Sequence, residues 1–170
     1  MGTTARIDKA TRLRQKPSYR WRFPERALHV VDIENLAGAP IPSLVQVNEV
    51  QDWYMTRLGF GADDQVVMAS SHLAFLNAAL GWPHARYRVR SGPNGADLEL
   101  LDVLLHENVA ARFNHVVIGS GDGGFFDAAA SLADRGVWVT VVSRPGSLSG
   151  RLARVARDVV YLDIPEADAA

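Results

Sequence analysis

The chain has 170 residues, of which 48% are hydrophobic, and its formal net charge at pH 7 is -1. This length suits one domain that buries a full core, and the absence of cysteine excludes a disulfide framework and any thiol or cysteine-ligated zinc chemistry. No apolar run reaches the length of a membrane span, and no apolar stretch follows the basic start as it would in a secretory signal. We therefore expect a cytoplasmic protein that does not enter a membrane.

Positive charge is concentrated in residues 1–26, which hold eight of the eighteen Lys and Arg side chains but only two acids. The remainder carries ten basic and seventeen acidic residues. We predict that residues 1–26 form a basic arm that meets a polyanion, or alternatively a solvated leader without that role. Aromatic residues alternate with Arg20 and Arg22 over 19–23, which fits an edge strand or contacts with a nucleic acid.

Strands and helices alternate along the rest of the chain. Apolar β-branched runs predict buried strands, and apolar residues at helical spacing predict helices. In chain order we predict a strand at 27–33, a loop at 37–42, a helix at 43–58, a strand at 64–70, a helix at 72–80, an edge strand at 85–90, a turn at 91–95, a helix at 96–111, a strand at 115–119, a helix at 124–135, a strand at 137–143, a helix from Ser147 or Ser149 to about Arg157, a strand at 159–164 and a frayed tail at 165–170. Together they predict an α/β fold with a mostly parallel sheet, formed by residues 27–164.

Three acids occupy comparable places in this pattern. Asp32 ends the first strand, Asp97 begins the helix after the 91–95 turn, and Asp122 follows the fourth strand. The first and fourth strands of a doubly wound sheet can be neighbours at the switch point, so these acids are expected at one edge. Clustered carboxylates repel one another unless a cation neutralises them, and oxygen-only ligands suit Mg²⁺ or Mn²⁺. The pattern therefore indicates a metal site that acts on phosphodiesters.

Each of these residues also has a local explanation. Asp97 is favoured by the helix dipole, Asp122 is a possible N-cap, and Asp32 can cap the turn after its strand. Asn35 orients a water, a metal ligand or a phosphate, or it simply ends the strand through a local turn. Asp102 shares a helix face with leucines, which predicts a partly buried carboxylate whose partner is a metal-bound water, an arginine or a backbone group.

Four segments of the chain resemble the NYN domains of the PIN-like nuclease superfamily. They are DIENL at 32–36, GADLELLDVL at 95–104, IGSGDGGFFDAAASLADRGVWVTVVS at 118–143 and SLSGRLARVARDVVYL at 147–162. The resemblance spans about 27–164 and implies a PIN-like three-layer α/β/α fold and a metal-dependent ribonuclease that hydrolyses RNA.

The resemblance assigns roles to individual residues. Asp32, Asp97 and Asp122 match metal-binding acids, Asn35 matches the asparagine of the first motif, and Asp102 matches a second acid on the middle helix. Beside these catalytic positions, Arg88 and Arg90 near the end of the third strand, with Arg20 and Arg22 of the arm, are candidates for contacts with the RNA backbone.

The sequence departs from the family pattern at two places. Gly124 stands where an acid is common, Asp127 lies three residues further on, and no basic residue shortly precedes Asp97. The alternative is therefore a catalytically weak NYN-like domain that binds RNA or a protein partner. The sequence leaves open single-stranded DNA as a substrate, one metal or two, and a homo-oligomer.

Two other readings of the acidic and glycine-rich segments are weaker. The glycines at 119, 121 and 124 fit G-x-G-x-x-G, but they come late in the chain and enclose an acid where a pyrophosphate would sit. A phosphoacceptor domain would require a lysine at the end of a later strand, and no lysine follows Lys16. The five histidines are scattered, and we expect surface or packing roles for them.

Deletion of residues 1–26 is expected to weaken RNA binding and flatten its salt dependence. Up to eight cationic side chains are lost. Each phosphate contact on a single strand contributes about 0.7 to the slope of the logarithm of the binding constant against the logarithm of salt concentration. Binding to a labelled single-stranded RNA across a salt series measures both effects. An unchanged slope would show that the arm does not touch RNA.

Overall fold

The computed structural model of the chain describes residues 26–164, and a single six-stranded sheet organises them. The strands are β1 Ala27–Asp32, β2 Gln65–Ser70, β3 Arg86–Val89, β4 His115–Gly119, β5 Trp138–Ser143 and β6 Asp158–Tyr161. Their order across the sheet is β3-β2-β1-β4-β5-β6, and every neighbouring pair is parallel. The sheet is buried on both faces, which is why its central strands read as continuous apolar runs.

Helices cover both faces of the sheet and complete a three-layer α/β/α fold. They are α1 Ile33–Ala37, α2 Leu44–Arg57, α3 Phe75–Gly81, α4 Gly95–His106, α5 Val109–Arg112, α6 Phe126–Asp134 and α7 Gly150–Val155, with a 3₁₀ turn at Gly123–Phe125. One core packs α1 to α3 on Val31, Met68 and Val117. The other packs α4 to α7 on Val30, Ile118 and their neighbours. Because strand residues alternate in direction, each strand feeds both cores.

The chain reverses its direction of travel across the sheet between β1 and β4. From β1 it moves outward through β2 to β3, and it then crosses over through α4 and α5 to β4, which pairs with the other side of β1. The register sets Val31 of β1 opposite Gly119 of β4. The carboxyl ends of these two strands therefore form the switch point of a doubly wound sheet, as the sequence predicted.

The predicted fold class is confirmed, and the sheet is entirely parallel rather than mostly so. Strand β3 lies at the edge, as predicted. One local prediction is wrong, and one helix was not predicted. The single helix at 96–111 is two helices, because Asn108 adopts a left-handed φ of 51° between α4 and α5. Helix α1 was not foreseen: five residues are too few to show helical periodicity, and its signal is the Asp32 cap.

The predicted basic arm, apart from Arg26, and the tail at 165–170 lie outside the described residues. Within 26–164, none of the helices has both the length and the apolar character needed to cross a membrane.

A buried polar cluster joins the starts of β1 and β2, at the end of the sheet opposite the carboxyl ends of the strands. The Asp64 carboxylate accepts hydrogen bonds from the backbone N–H groups of Ala27, at 2.9 Å, and Gly61. It also lies 3.6 Å from His29 Nε2, while His29 Nδ1 contacts the Tyr54 hydroxyl at 2.8 Å. Burial opposes ionisation of Asp64, but the hydrogen bonds from His29 and the two backbone groups outweigh it and hold its pKa below the usual range.

The Asp64→Asn variant is expected to be less stable than the wild type by about 1–3 kcal/mol at pH 7. A side-chain amide has one acceptor oxygen where the carboxylate has two, so one of the backbone N–H groups of Ala27 and Gly61 is left unpaired. Since the folded-state pKa of Asp64 is depressed, its contribution is present above the unfolded pKa and lost as pH falls toward the folded value. The difference should therefore shrink in acid. Urea unfolding at several pH values measures it, with the exposed neighbour Asp63→Asn as control. Equal stability of the two variants would contradict the assignment.

Candidate functional site

The candidate site lies at the carboxyl edge where β1 and β4 end side by side. Asp32 is the last residue of β1, and the loop after Gly119 leads to Asp122. Helix α1 leaves this point toward one face of the sheet, and α6 leaves toward the other. The divergence of these two connections opens the crevice in which α/β folds bind ligands.

Asp32 is held in a buried and ordered position. Only 6% of the residue is exposed, and its side chain caps α1 by accepting a hydrogen bond from Asn35 N at 3.1 Å. The turn-capping role considered for Asp32 is therefore present. One backbone hydrogen bond is little compensation for a buried carboxylate, so the rest of its environment decides its charge.

Asp97 reaches Asp32 from the other side of the sheet. It lies in the first turn of α4, which packs on the face opposite α1. The two carboxyls lie against each other, and their interaction raises the pKa of Asp32 and lowers that of Asp97. Asp97 Oδ1 is buried and has no hydrogen-bond partner among the described residues. A carboxyl oxygen in this state is costly unless a proton or a cation satisfies it.

The two carboxyls resist simultaneous ionisation. Burial is the main cause that raises the pKa of Asp32, opposed by the hydrogen bond from Asn35 N and reinforced by the charges of Asp97 and Glu34. Burial also leads the rise in the pKa of Asp97; the interaction with Asp32 opposes that rise, and the charges of Asp122 and Glu34 add to it. In the absence of a cation the pair therefore retains a proton that isolated carboxyls would lose.

Asp122 lies near the pair but has its own hydrogen bond. The residue is exposed, and its carboxylate accepts from Gly124 N at 2.6 Å, which caps the 3₁₀ turn that leads into α6. The N-cap role considered for Asp122 is therefore present. Its charge still acts on Asp97, so all three predicted acids face the same edge.

Asn35 joins the two halves of the edge. Its Oδ1 accepts a hydrogen bond from Gly121 N at 3.0 Å, across 86 positions of sequence. Gly121 in turn packs so closely on the end of β5 and the loop after it that a side chain there would strike Ser143 Oγ and Ser147 O. This amide therefore fixes the loop that carries Asp122 against the end of β1.

Glu34 is a fourth acid at this edge that the sequence analysis did not select. Its Oε1 accepts from Ser71 N at 2.6 Å, and its charge raises the pKa of both Asp32 and Asp97. The signal for it was its place between Asp32 and Asn35 in the first motif, immediately after the strand.

Asp102, Arg88 and Arg90 form a separate network on the outer side of α4. Arg88 pairs with Glu99 at 2.8 Å and with Asp102 at 2.5 Å, and Arg90 lies 3.8 Å from Glu99. The expectation of a partly buried Asp102 is wrong, because 49% of its side chain is exposed. Of the partners considered for Asp102, the structure supplies the arginine. Hydrogen bonds from His106 and Arg88 lower its pKa, and neither Asp32 nor Asp97 contributes to that shift.

The remaining candidate residues lie on the surface near α6 or outside the described part of the chain. Asp127 is exposed in the first turn of α6, and Gly124 is exposed at the crevice. Arg20 and Arg22 lie outside the described residues. Within residues 26–164, no three His, Asp or Glu side chains are arranged so that they could hold a metal ion as they stand. The acids that the structure brings together at this edge are Asp32 and Asp97, which contact each other, and Asp122 and Glu34, which lie around them.

Comparison with known proteins supports the fold. No protein-family model and no curated protein matches the sequence. Among solved structures, a protein of unknown function from Vibrio parahaemolyticus is similar, with a TM-score of 0.53 and 19% identity. The match covers 82% of this chain and 93% of that one. At this identity the likeness concerns the fold alone, and it agrees with the three-layer α/β/α architecture.

Replacement of Asp97 by Asn is expected to stabilise the metal-free protein by about 0.5–2 kcal/mol at pH 8. Because the pKa of Asp97 is raised in the folded state, that state holds more protons than the unfolded chain above the usual carboxyl pKa, and stability falls as pH rises toward the raised value. The gain should therefore be smaller at pH 4. Urea unfolding in EDTA measures it, with the exposed Asp52→Asn on α2 as control. A variant less stable than the wild type at pH 8 would contradict the repulsion.

Proposed function

We propose that the protein is a cytoplasmic, metal-dependent ribonuclease that hydrolyses RNA phosphodiester bonds at the edge formed by Asp32, Asp97 and Asp122. The observation that carries this proposal is the contact between two carboxyls at the switch point, one of them with a buried oxygen that finds no partner among residues 26–164. Such a pair lowers the stability of the folded protein. Proteins retain groups that destabilise the fold mainly at functional sites, where those groups serve binding or catalysis.

The side chains fit a hard divalent cation such as Mg²⁺ or Mn²⁺. All the donors are carboxylate oxygens, and Asp97 Oδ1, which has no hydrogen-bond partner in the described part of the chain, could be satisfied by a cation. Asp32 and Asp97 would hold the ion, and Asp122, exposed at the same edge, would complete the set. When bound, the ion would polarise a phosphoryl oxygen and lower the pKa of a water that attacks phosphorus.

The other residues would act by positioning. Asn35 holds the Asp122 loop through Gly121 N, and Glu34 holds the end of β2 through Ser71 N. Asp102 fixes Arg88 on the surface of α4, so we place it outside the reacting centre. RNA is the proposed substrate because the motifs resemble those of the NYN domains and because the first 26 residues are strongly basic.

An RNA-binding or protein-binding module without catalysis is the second candidate. It is favoured by Gly124 at a commonly acidic position and by the hydrogen bond that occupies the Asp122 carboxylate. No group of acids within 26–164 is already arranged around a metal position, which also favours this candidate.

Cleavage of a labelled single-stranded RNA across a Mn²⁺ titration separates the two functions. We expect Asp97→Asn and Asp122→Asn to lower the rate by at least about 100-fold. Loss of a residue that only supports a metal ligand lowers activity by up to about 100-fold, and loss of a ligand itself should lower it at least as much. Asparagine also caps helices well, so Asp122→Asn should fold normally. The Asp52→Asn control should cleave like the wild type. Wild-type protein that binds RNA but does not cleave it at any Mg²⁺ or Mn²⁺ concentration would refute the nuclease and favour the binding module.

Substitution of Gly124 by Asp is expected to lower the Mn²⁺ concentration needed for half-maximal cleavage. The glycine is exposed with φ outside the left-handed region, and an added Cβ would meet only the Asp122 carboxylate, at 3.1 Å from Oδ1. A second carboxylate there adds to the attraction for a cation. Gly124→Asn is the neutral control of matched size. Equal metal dependence of the two variants would show that charge at this position does not reach the metal.

A further inference from the structure

Arg144 stands at the same sheet edge as the acids. It follows Ser143, the last residue of β5, and its guanidinium lies against Gly38, the residue that ends α1. A side chain at Gly38 would overlap the guanidinium, and the φ of 69° there also favours glycine. The close approach of the end of α1 to Arg144 therefore depends on glycine at this position.

Short contacts connect Arg144 to the candidate site. The N–H of Gly38 donates to the carbonyl groups of Asn35 and Glu34, the two residues that follow Asp32 and Ile33. Asn35 in turn holds Gly121, and Gly121 O accepts from Ser149 N at 2.8 Å in the loop that begins at Arg144. The end of α1, the loop that carries Asp122 and the loop that carries Arg144 thus form one packed surface.

Most N–H groups of the Arg144 guanidinium donate no hydrogen bond within residues 26–164. Among the described residues its one hydrogen bond goes to Ser147 Oγ, at 3.3 Å, and no carboxylate lies within 4.0 Å of it. Its Nε is buried and has no hydrogen-bond partner within residues 26–164. Arg88 and Arg90, the arginines that the sequence suggested for substrate contacts, are instead paired with Glu99 and Asp102. An arginine carries five N–H donors, so most of those of Arg144 remain for a ligand.

We propose that Arg144 binds a phosphate of the RNA backbone beside the bond that is cleaved, an inference that rests on the proposed nuclease function. A polyanion that approaches four carboxylates is repelled, and a nearby cation offsets this repulsion. The planar fork of a guanidinium matches two phosphate oxygens, which a point charge does not. Arg144 is therefore a substrate-binding residue, while Arg88 and Arg90 hold α4.

Binding of a fluorescein-labelled single-stranded RNA in EDTA, across a salt series, tests this role without cleavage. We expect Arg144→Gln to raise the Kd about tenfold, as for the loss of a charged hydrogen bond, and to make the salt slope shallower by about 0.7, as for one phosphate contact. Arg144→Lys should keep the slope and lose part of the affinity. Arg135→Gln, an exposed arginine at the far end of α6, is the matched control and should bind like the wild type.

The outcomes separate this inference from the proposed function. Wild-type affinity and slope in a folded Arg144→Gln protein would overturn the phosphate contact even if the wild type cleaves RNA. A fall in melting temperature with no change in RNA binding would show that Arg144 only clamps α1, and would also overturn it. Failure of the nuclease proposal has a different signature, in which Arg144→Gln weakens RNA binding but the wild type does not cleave with Mn²⁺.

Discussion

The contact between the carboxyls of Asp32 and Asp97 is the constraint on which the candidate site depends. Water would ionise both groups, but here burial raises the pKa of each. The charges of Asp97 and Glu34 raise the pKa of Asp32 further, and those of Asp122 and Glu34 raise the pKa of Asp97, although the interaction with Asp32 opposes the rise at Asp97. The fold brings them together through strong local interactions: Asp32 caps α1, and α4 begins at the crevice. The cores on both faces of the sheet hold these elements in place, so the repulsion remains unrelieved until a proton or a cation enters.

The parallel sheet explains why chemistry from distant parts of the chain meets at this edge. Because all six strands point the same way, every strand-to-helix loop emerges on one side. Asn35 then ties the loop after β4 to the loop after β1, and the loop after β5 packs on Gly121. Acids are contributed by the first and fourth of these loops and by α4, whereas Arg144 comes from the fifth. The surface thus places carboxylates beside a cation that has no acidic partner within residues 26–164, an arrangement suited to a metal ion and a phosphate.

Much of the fold followed from the sequence because buried β-branched strands and capped helices have local signatures. The same reasoning placed Asp32, Asp97 and Asp122 at one edge, since strand ends in a parallel sheet converge. It missed what depends on side-chain pairing. Nothing local indicates that Arg88 binds Glu99 and Asp102, or that Arg144 has no carboxylate partner in the described part of the chain. The break at Asn108 did have a signal, because asparagine tolerates the left-handed conformation better than most residues.

Direct binding of Mn²⁺ tests the central claim, that the Asp32 and Asp97 pair is a cation site. Isothermal titration calorimetry on the full chain without RNA separates metal binding from substrate binding and from catalysis. Saturable binding by the wild type and by Asp52→Asn, lost or weakened at least about tenfold in Asp97→Asn, is the predicted result. Mn²⁺ binding of equal strength in the wild type and Asp97→Asn, or none in the wild type, would contradict it.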